Sequence, residues 1–167
     1  MKQQIKETLY RVAEDILEKL AFIFSFPEEE RESIDYDSAV AASVSFKGPF
    51  TGTLVMAVSE HILPELAGNM LGVENPDDTT LDQQHDALKE LINVICGNLL
   101  PSVAGKEIVF NVDAPVIISK DEAILRGDGP DPVAVARMDL DDQQCDLLFF
   151  IDGDIPENIG TVSESTQ

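Results

Sequence analysis

Histidine and cysteine are nearly missing from this sequence, with only His61, His85, Cys96 and Cys145 present. Zinc centres and disulfide scaffolds are built from clusters of these residues; no CxxC or Cys/His cluster occurs, so neither is expected and no metal is assigned to the chain. Signatures that carry their own chemistry are absent as well: there is no GxSxG, GxGxxG, P-loop or HExxH. Any reaction must therefore use carboxylates, amides or backbone groups, or chemistry supplied by a partner. Basic residues are scarce, 11 Lys and Arg against 32 Asp and Glu, for a formal net charge of -21. That balance excludes a nucleic-acid surface, which needs a basic footprint to release counterions, and disfavours anionic membranes. The longest apolar runs, LAFIF and LLFFI, are far too short to span a bilayer, and the charged N-terminus lacks the apolar core of a signal peptide. A reducing, cytoplasmic setting is expected.

What is present suffices for one core. The chain has 167 residues, 44% of them hydrophobic, which predicts a single domain over 1–152 and an acidic, mobile tail over 153–167. Apolar residues at Ile5, Leu9, Val12, Ile16 and Leu20 predict a long amphipathic helix from Lys2 to about Phe24, ended by Pro27 and followed by a polar connection to about Tyr36. Ser38 to Lys47 alternates as a half-buried strand, Gly48-Pro49 turns, and Phe50 to Val58 returns to make a hairpin. A short helix follows from about Ile62 to Leu71, with Gly72 as its cap. Thr80 and Gln83 form a capping box for a central helix that Pro101 should end or kink. Beyond Lys106 the pattern turns to strands: Glu107 to Val112, Val116 to Ser119, Glu122 to Arg126, and a hairpin of Pro132 to Leu140 with Cys145 to Asp152.

The central helix carries the feature that needs explaining. In DALKELINVICG, a rotation of roughly 100° per residue puts Asp86, Glu90, Asn93 and Gly97 on one stripe, opposite Leu88, Leu91, Ile92, Ile95 and Leu99. Asn and Gly in mid-helix each cost stability relative to Ala, so something other than helix stability selects them. Glu90 and Asn93 can be a solvated face, a general base with its neighbour, or a clamp in which the carboxylate holds a partner's cation while the amide orients a water. His85 lies off the stripe, His61 reads as a helix-entry residue, and Cys96 as an ordinary buried thiol.

The run Asp86 to Asn93, continuing into Gly97-Asn98 and followed by Pro115, resembles the phosphatase signature of the CheC/CheX/FliY family: an Asp or Ser, then ExxN, then a downstream proline. The preceding stretch FTGTLVMAVSEHILPELAGNMLG is similar to the segment that introduces this motif in CheX-like proteins. The resemblance implies an α+β fold, with long helices packed on one antiparallel-rich sheet of about six strands. It also implies hydrolysis of the aspartyl phosphate on a CheY-like receiver domain. Glu90 would pair with a receiver lysine, Asn93 would position the attacking water, and Asp86, Gly97 and Pro115 would help bind the partner. No cofactor would be held by this chain; Mg2+ would sit on the receiver. A single ExxN favours the CheX-like branch, in which homodimers are known. A non-catalytic signalling adaptor, or a flagellar-switch-like component that binds a receiver without hydrolysis, is the alternative.

Overall fold

The computed structural model describes residues 1–153, apart from the side chains of 127 and 128. The amphipathic spacing of the first segment gives α1, Lys2–Ala21, which buries Ile5, Leu9, Val12 and Ile16. It stops earlier than the sequence suggests because Phe22 turns left-handed (φ 54°) and its N–H donates to the Glu18 carbonyl. The next residues make a short strand, β1, Ser25–Pro27, too brief and proline-bearing to leave a sequence pattern.

The first hairpin is β2, Ala39–Lys47, and β3, Gly52–Ser59, paired from Ala39 with Ser59 to Phe46 with Gly52. Then come α2, Leu63–Leu71, closed by Gly72 at φ 73°, and α3, Leu81–Ala104. The expected capping box is present: the Gln83 N–H donates to Thr80 Oγ1 at 3.1 Å, and the Thr80 N–H donates to Gln83 Oε1 at 2.9 Å. Pro101 does not end α3. Its missing N–H removes one bond near the terminus, but its carbonyl still accepts from the Gly105 N–H at 2.9 Å, and buried Leu99, Leu100 and Val103 hold the last turn in the core.

Of the strand expected over Glu107 to Val112, only β4, Asn111–Val112, forms. It is followed by β5, Val116–Ile118, and then by a correction. Glu122 to Arg126 is not a strand but part of a helix, α4, Lys120–Asp128, because Ser119 caps it, its hydroxyl accepting from the Glu122 N–H at 3.1 Å. The closing hairpin, β6, Ala134–Leu140, and β7, Gln143–Ile151, turns through Asp141 and Asp142, both at positive φ (52° and 67°).

The result is an α+β fold: helices packed on one seven-stranded antiparallel sheet, in the order β1-β6-β7-β3-β2-β4, with β5 also pairing β2. The main core lies between the sheet face bearing Val44, Leu54, Met56 and Phe149 and the helices α1, α2 and α3. Each such fully buried side chain contributes about 1.5–3 kcal/mol over exposure. The second face is not the open one expected of a half-buried β2. It carries a smaller core of Ile34, Ala41, Val55, Ala57, Ile118 and Ala123, roofed by α4 and the loop after β1. Beside it the fully buried Asp146 carboxylate accepts from Arg31 Nη2 at 2.8 Å, from the Ile34 N–H at 2.9 Å and from Arg137 Nη1.

The acidic tail expected at 153–167 lies, beyond Gly153, outside the described residues. Among the described residues no helix is long and apolar enough to cross a membrane.

Candidate functional site

The polar stripe read from the sequence lies on the exposed side of α3. Asp86, Glu90, Asn93 and Gly97 are exposed, while Leu88, Leu91, Ile92, Ile95 and Leu99 are buried to 0% exposure against the sheet and α1. One face thus anchors a rod some 24 residues long, and the other holds its side chains at fixed spacing. The capping box closes the rod's first turn a few residues before Asp86, so the stripe does not fray with the helix end.

A second element meets the stripe. Asp86, Lys89, Glu90 and Asn93 form one side of an open cleft of about 370 Å³, and Ala114 and Pro115 form the other. The wall is placed by pairings on either side of it. Phe46 and Lys47 of β2 pair with Val112 and Asn111, the Asp113 N–H donates to the Ser45 carbonyl at 2.9 Å, and Ala41 to Ser43 pair with β5. Ala114-Pro115 therefore bridges two strands fixed to the same partner. Phe110 anchors the approach to it, stacked edge-on against Phe46 and Phe50 with ring centroids 5.8 and 5.0 Å away. This packing explains Gly48, where a Cβ would meet the Phe110 ring at 2.5 Å.

Within the cleft the charges are sorted. Lys89 pairs with Asp86 at 3.2 Å, so Asp86 occupies the local cation. Glu90 and Asn93 have no hydrogen-bond or ion-pair partner among the described residues. A carboxylate and an amide, uncommitted and one helical turn apart beside a proline wall, can accept from a cation and bind a small polar molecule without first breaking internal contacts. Gly97 does not line the cleft; a Cβ placed there meets nothing within 4 Å, so no contact among the described residues requires a glycine.

The other candidates fall away from the chemistry. His85 is half-buried and outside the cleft, and His61 is exposed beside Glu60. Cys96 is fully buried on the core side of α3, where burial pushes its thiol pKa up to about 12; Cys145 is buried in β7 and shifted upward for the same reason. A thiol held in its protonated form and away from water is a poor nucleophile. Neither cysteine should react with a thiol-specific reagent in the folded chain, and both should react once denaturant is added; rapid modification of native protein would contradict this burial. Among the described residues no cluster of three His, Cys, Asp or Glu could hold a metal ion. Sequence reasoning missed the Asp86–Lys89 pair, although an acid three positions before a base on a helix is a readable signal.

Comparison with known proteins adds a family and a fold. A family model described as "Chemotaxis phosphatase CheX" matches residues 40–136, more than half of the chain. No curated protein matches the sequence. Among solved structures, the chemotaxis protein CheX of Desulfovibrio desulfuricans is similar with a TM-score of 0.65 and 17% identity, over 89% of this chain and 99% of that one. The CheX-CheY-BeF3-Mg complex of Borrelia burgdorferi matches with a TM-score of 0.65 and 18% identity, over 88% and 97%. FliY of Thermotoga maritima matches with a TM-score of 0.54 and 17% identity, over 99% and 96%.

Proposed function

We propose that this chain, which belongs to the CheX family of chemotaxis phosphatases, hydrolyses the aspartyl phosphate of a CheY-like receiver domain through the exposed stripe of α3. The observation that carries the reading is the uncommitted pair Glu90 and Asn93 beside the Pro115 wall. The Borrelia burgdorferi relative, crystallised as a complex with CheY, BeF3 and Mg, supports the choice of partner.

Glu90 is the docking group. A receiver lysine approaching α3 meets a carboxylate that Lys89 has not neutralised, because Lys89 is held by Asp86. Asn93, one turn on, reaches the phosphoryl group and orients the attacking water, its carbonyl oxygen accepting from the water while its NH2 donates to a phosphoryl or carboxylate oxygen. No basic residue is needed on this chain. Charge on the phosphoryl oxygens is offset by the receiver's own lysine and its Mg2+, so alignment of the nucleophile is the remaining contribution. Pro115 and Ala114 confine the approach from the other side. Pairing with a receiver also places the chain in the cytoplasm.

Two expected results follow from this division of labour. Glu90→Ala should weaken binding to a phosphorylated receiver roughly 10- to 100-fold, the equivalent of one charged hydrogen bond, while turnover at saturating receiver changes much less. Titration of dissociation constant and rate separately checks it. Gly97→Ala should have opposed effects. A Cβ there meets nothing within 4 Å among the described residues, so helix propensity raises stability by about 0.5–1 kcal/mol, while added bulk beside the docking face lowers receiver affinity. A variant with higher Tm and unchanged affinity would show that the receiver does not approach Gly97.

The reading itself is tested by phosphate release from a receiver phosphorylated in the presence of Mg2+, with and without this protein. Acceleration supports it. Phosphorylation-dependent binding without acceleration would make the chain an adaptor.

A further inference from the structure

At the edge of the sheet farthest from the cleft, Phe22, Phe24 and Phe26 are 71%, 64% and 63% exposed. The left-handed turn at Phe22 ends α1 and sends the chain toward β1; Ile23 is buried and Ser25 half-buried, while Phe24 and Phe26 are exposed. Three large aromatic side chains exposed within five consecutive residues are costly in water, and monomers seldom leave so much apolar surface uncovered in one short segment.

Carboxylates gather at both ends of β1. Asp139 stands opposite Phe26 across the β1–β6 pairing, and its nearness to Glu28 pushes the Glu28 carboxyl above its ordinary range. At the other end of β1, burial and the neighbouring Asp141 raise Glu65 in the same direction. Four cations of this part of the fold are engaged, Lys6 with Glu29 at 3.0 Å, Lys19 with Asp15 at 3.1 Å, and Arg31 and Arg137 with Asp146, while the exposed Arg11 of α1 has no ion pair among the described residues. The exposed carboxylates of Glu18, Glu30 and Glu32 have no ion pair among the described residues.

We propose that the Phe22-Phe24-Phe26 ridge docks a basic amphipathic segment of a second partner protein, whose apolar residues cover the rings and whose lysines or arginines meet the surrounding carboxylates. A second copy packed ridge on ridge would set Glu28 and Asp139 against their own counterparts, with no added base to meet them. Addition of a partner strand is equally unsuited, because β1 is three residues long and ends in Pro27, which has no N–H to offer. The ridge and the α3 cleft lie at opposite edges of the sheet, with β6, β7, β3 and β2 between them, so both can be occupied at once. The inference does not depend on the phosphatase reading.

The probe is a fluorescent synthetic helical peptide with leucines at i, i+3, i+4 and i+7 and lysines elsewhere, measured against full-length protein by anisotropy. Its control replaces every lysine with glutamate. Wild type should bind the lysine peptide and not the glutamate peptide. The F22S/F24S/F26S variant keeps the charge of -21 and should bind at least tenfold more weakly. Variant E18Q/E30Q/E32Q, which leaves the rings in place, should also lose affinity beyond what added salt removes from wild type. Equal affinity of wild type and the serine variant would overturn the proposal, since binding would then follow net charge alone. So would a concentration-dependent dimer that the serine variant abolishes, because a second copy would then cover the ridge. The rings are mostly outside the core, so thermal unfolding should confirm that the serine variant is folded; if it is not, equal affinity of the glutamine variant and wild type overturns the proposal instead.

Discussion

A chain carrying Asn93→Ala should fold, melt at or slightly above the wild-type temperature, bind a phosphorylated receiver, and accelerate phosphate loss about 100-fold less than wild type. The first part follows from placement. Asn93 is exposed on α3 and makes no hydrogen bond among the described residues, so removing its amide leaves no buried group there unpaired, and Ala is the better helix former. The second follows from the role proposed. A group that only aligns water acts on the rate without acting on the encounter, and loss of one such positioned contact typically costs about 10²–10³ in rate. The split between binding and turnover is the informative part, because Glu90→Ala should show the reverse. A well-folded Asn93→Ala protein with full turnover would remove the mechanism.

The largest stability effect is expected far from the cleft, at Asp146. Its carboxylate is 0% exposed and accepts from Arg31, Arg137 and the Ile34 N–H. Asp146→Ala leaves a buried backbone donor and two facing guanidinium groups without their acceptor. Loss of one partner from a buried pair costs about 3–5 kcal/mol. Arg31 and Arg137 keep 11% and 22% of their side chains in solvent, so they can partly rehydrate, which puts the expectation near the lower bound. For a domain of this size about 3 kcal/mol lowers Tm by roughly 10 °C. Because α3 packs on the opposite face of the sheet, dephosphorylation below the new Tm should be unchanged; a loss of activity in the folded variant would mean the two faces are coupled. Arg31 also donates to the Met138 and Cys145 carbonyls, so the loop after β1 should lose its order first and show early hydrogen exchange.

What could be read in the sequence was local and periodic. The α1 stripe, the β2–β3 hairpin, the Gly72 cap, the Thr80–Gln83 box and the closing hairpin all declare themselves within a few residues. The α3 stripe was legible for the same reason: Asn93 and Gly97 are poor choices for an exposed helix unless something else selects them. The misreadings have specific physical causes. Ser119 followed by Glu122 repeats the spacing of the Thr80 box, yet the short run after it, Ala123-Ile124-Leu125, looks as much like strand as helix. β1 is too short to show alternation. Asp146 and Arg137 sit nine apart on a hairpin, and Arg31 far earlier, so no local pattern announces a buried charge cluster. Pro115 was linked to the stripe by resemblance alone; that it faces Glu90 and Asn93 depends on β2 holding both β4 and β5.

The pairing of β3 with β7 has a consequence in time. Gly52 is matched with Ile151 and Val58 with Cys145, so the middle of the sheet joins strands separated by most of the chain. Each flanking hairpin can close early and α3 can start from its own cap, but the β2–β3 layer on which α3 packs has an open β3 edge until β7 arrives. Loop closure over that separation is slow, which assigns the rate-limiting step of folding to the arrival of β7. During synthesis Glu90 and Asn93 leave the ribosome some fifty positions ahead of the strand that closes the sheet. Receiver-binding competence should therefore appear abruptly with the completed C-terminal hairpin rather than gradually as α3 lengthens.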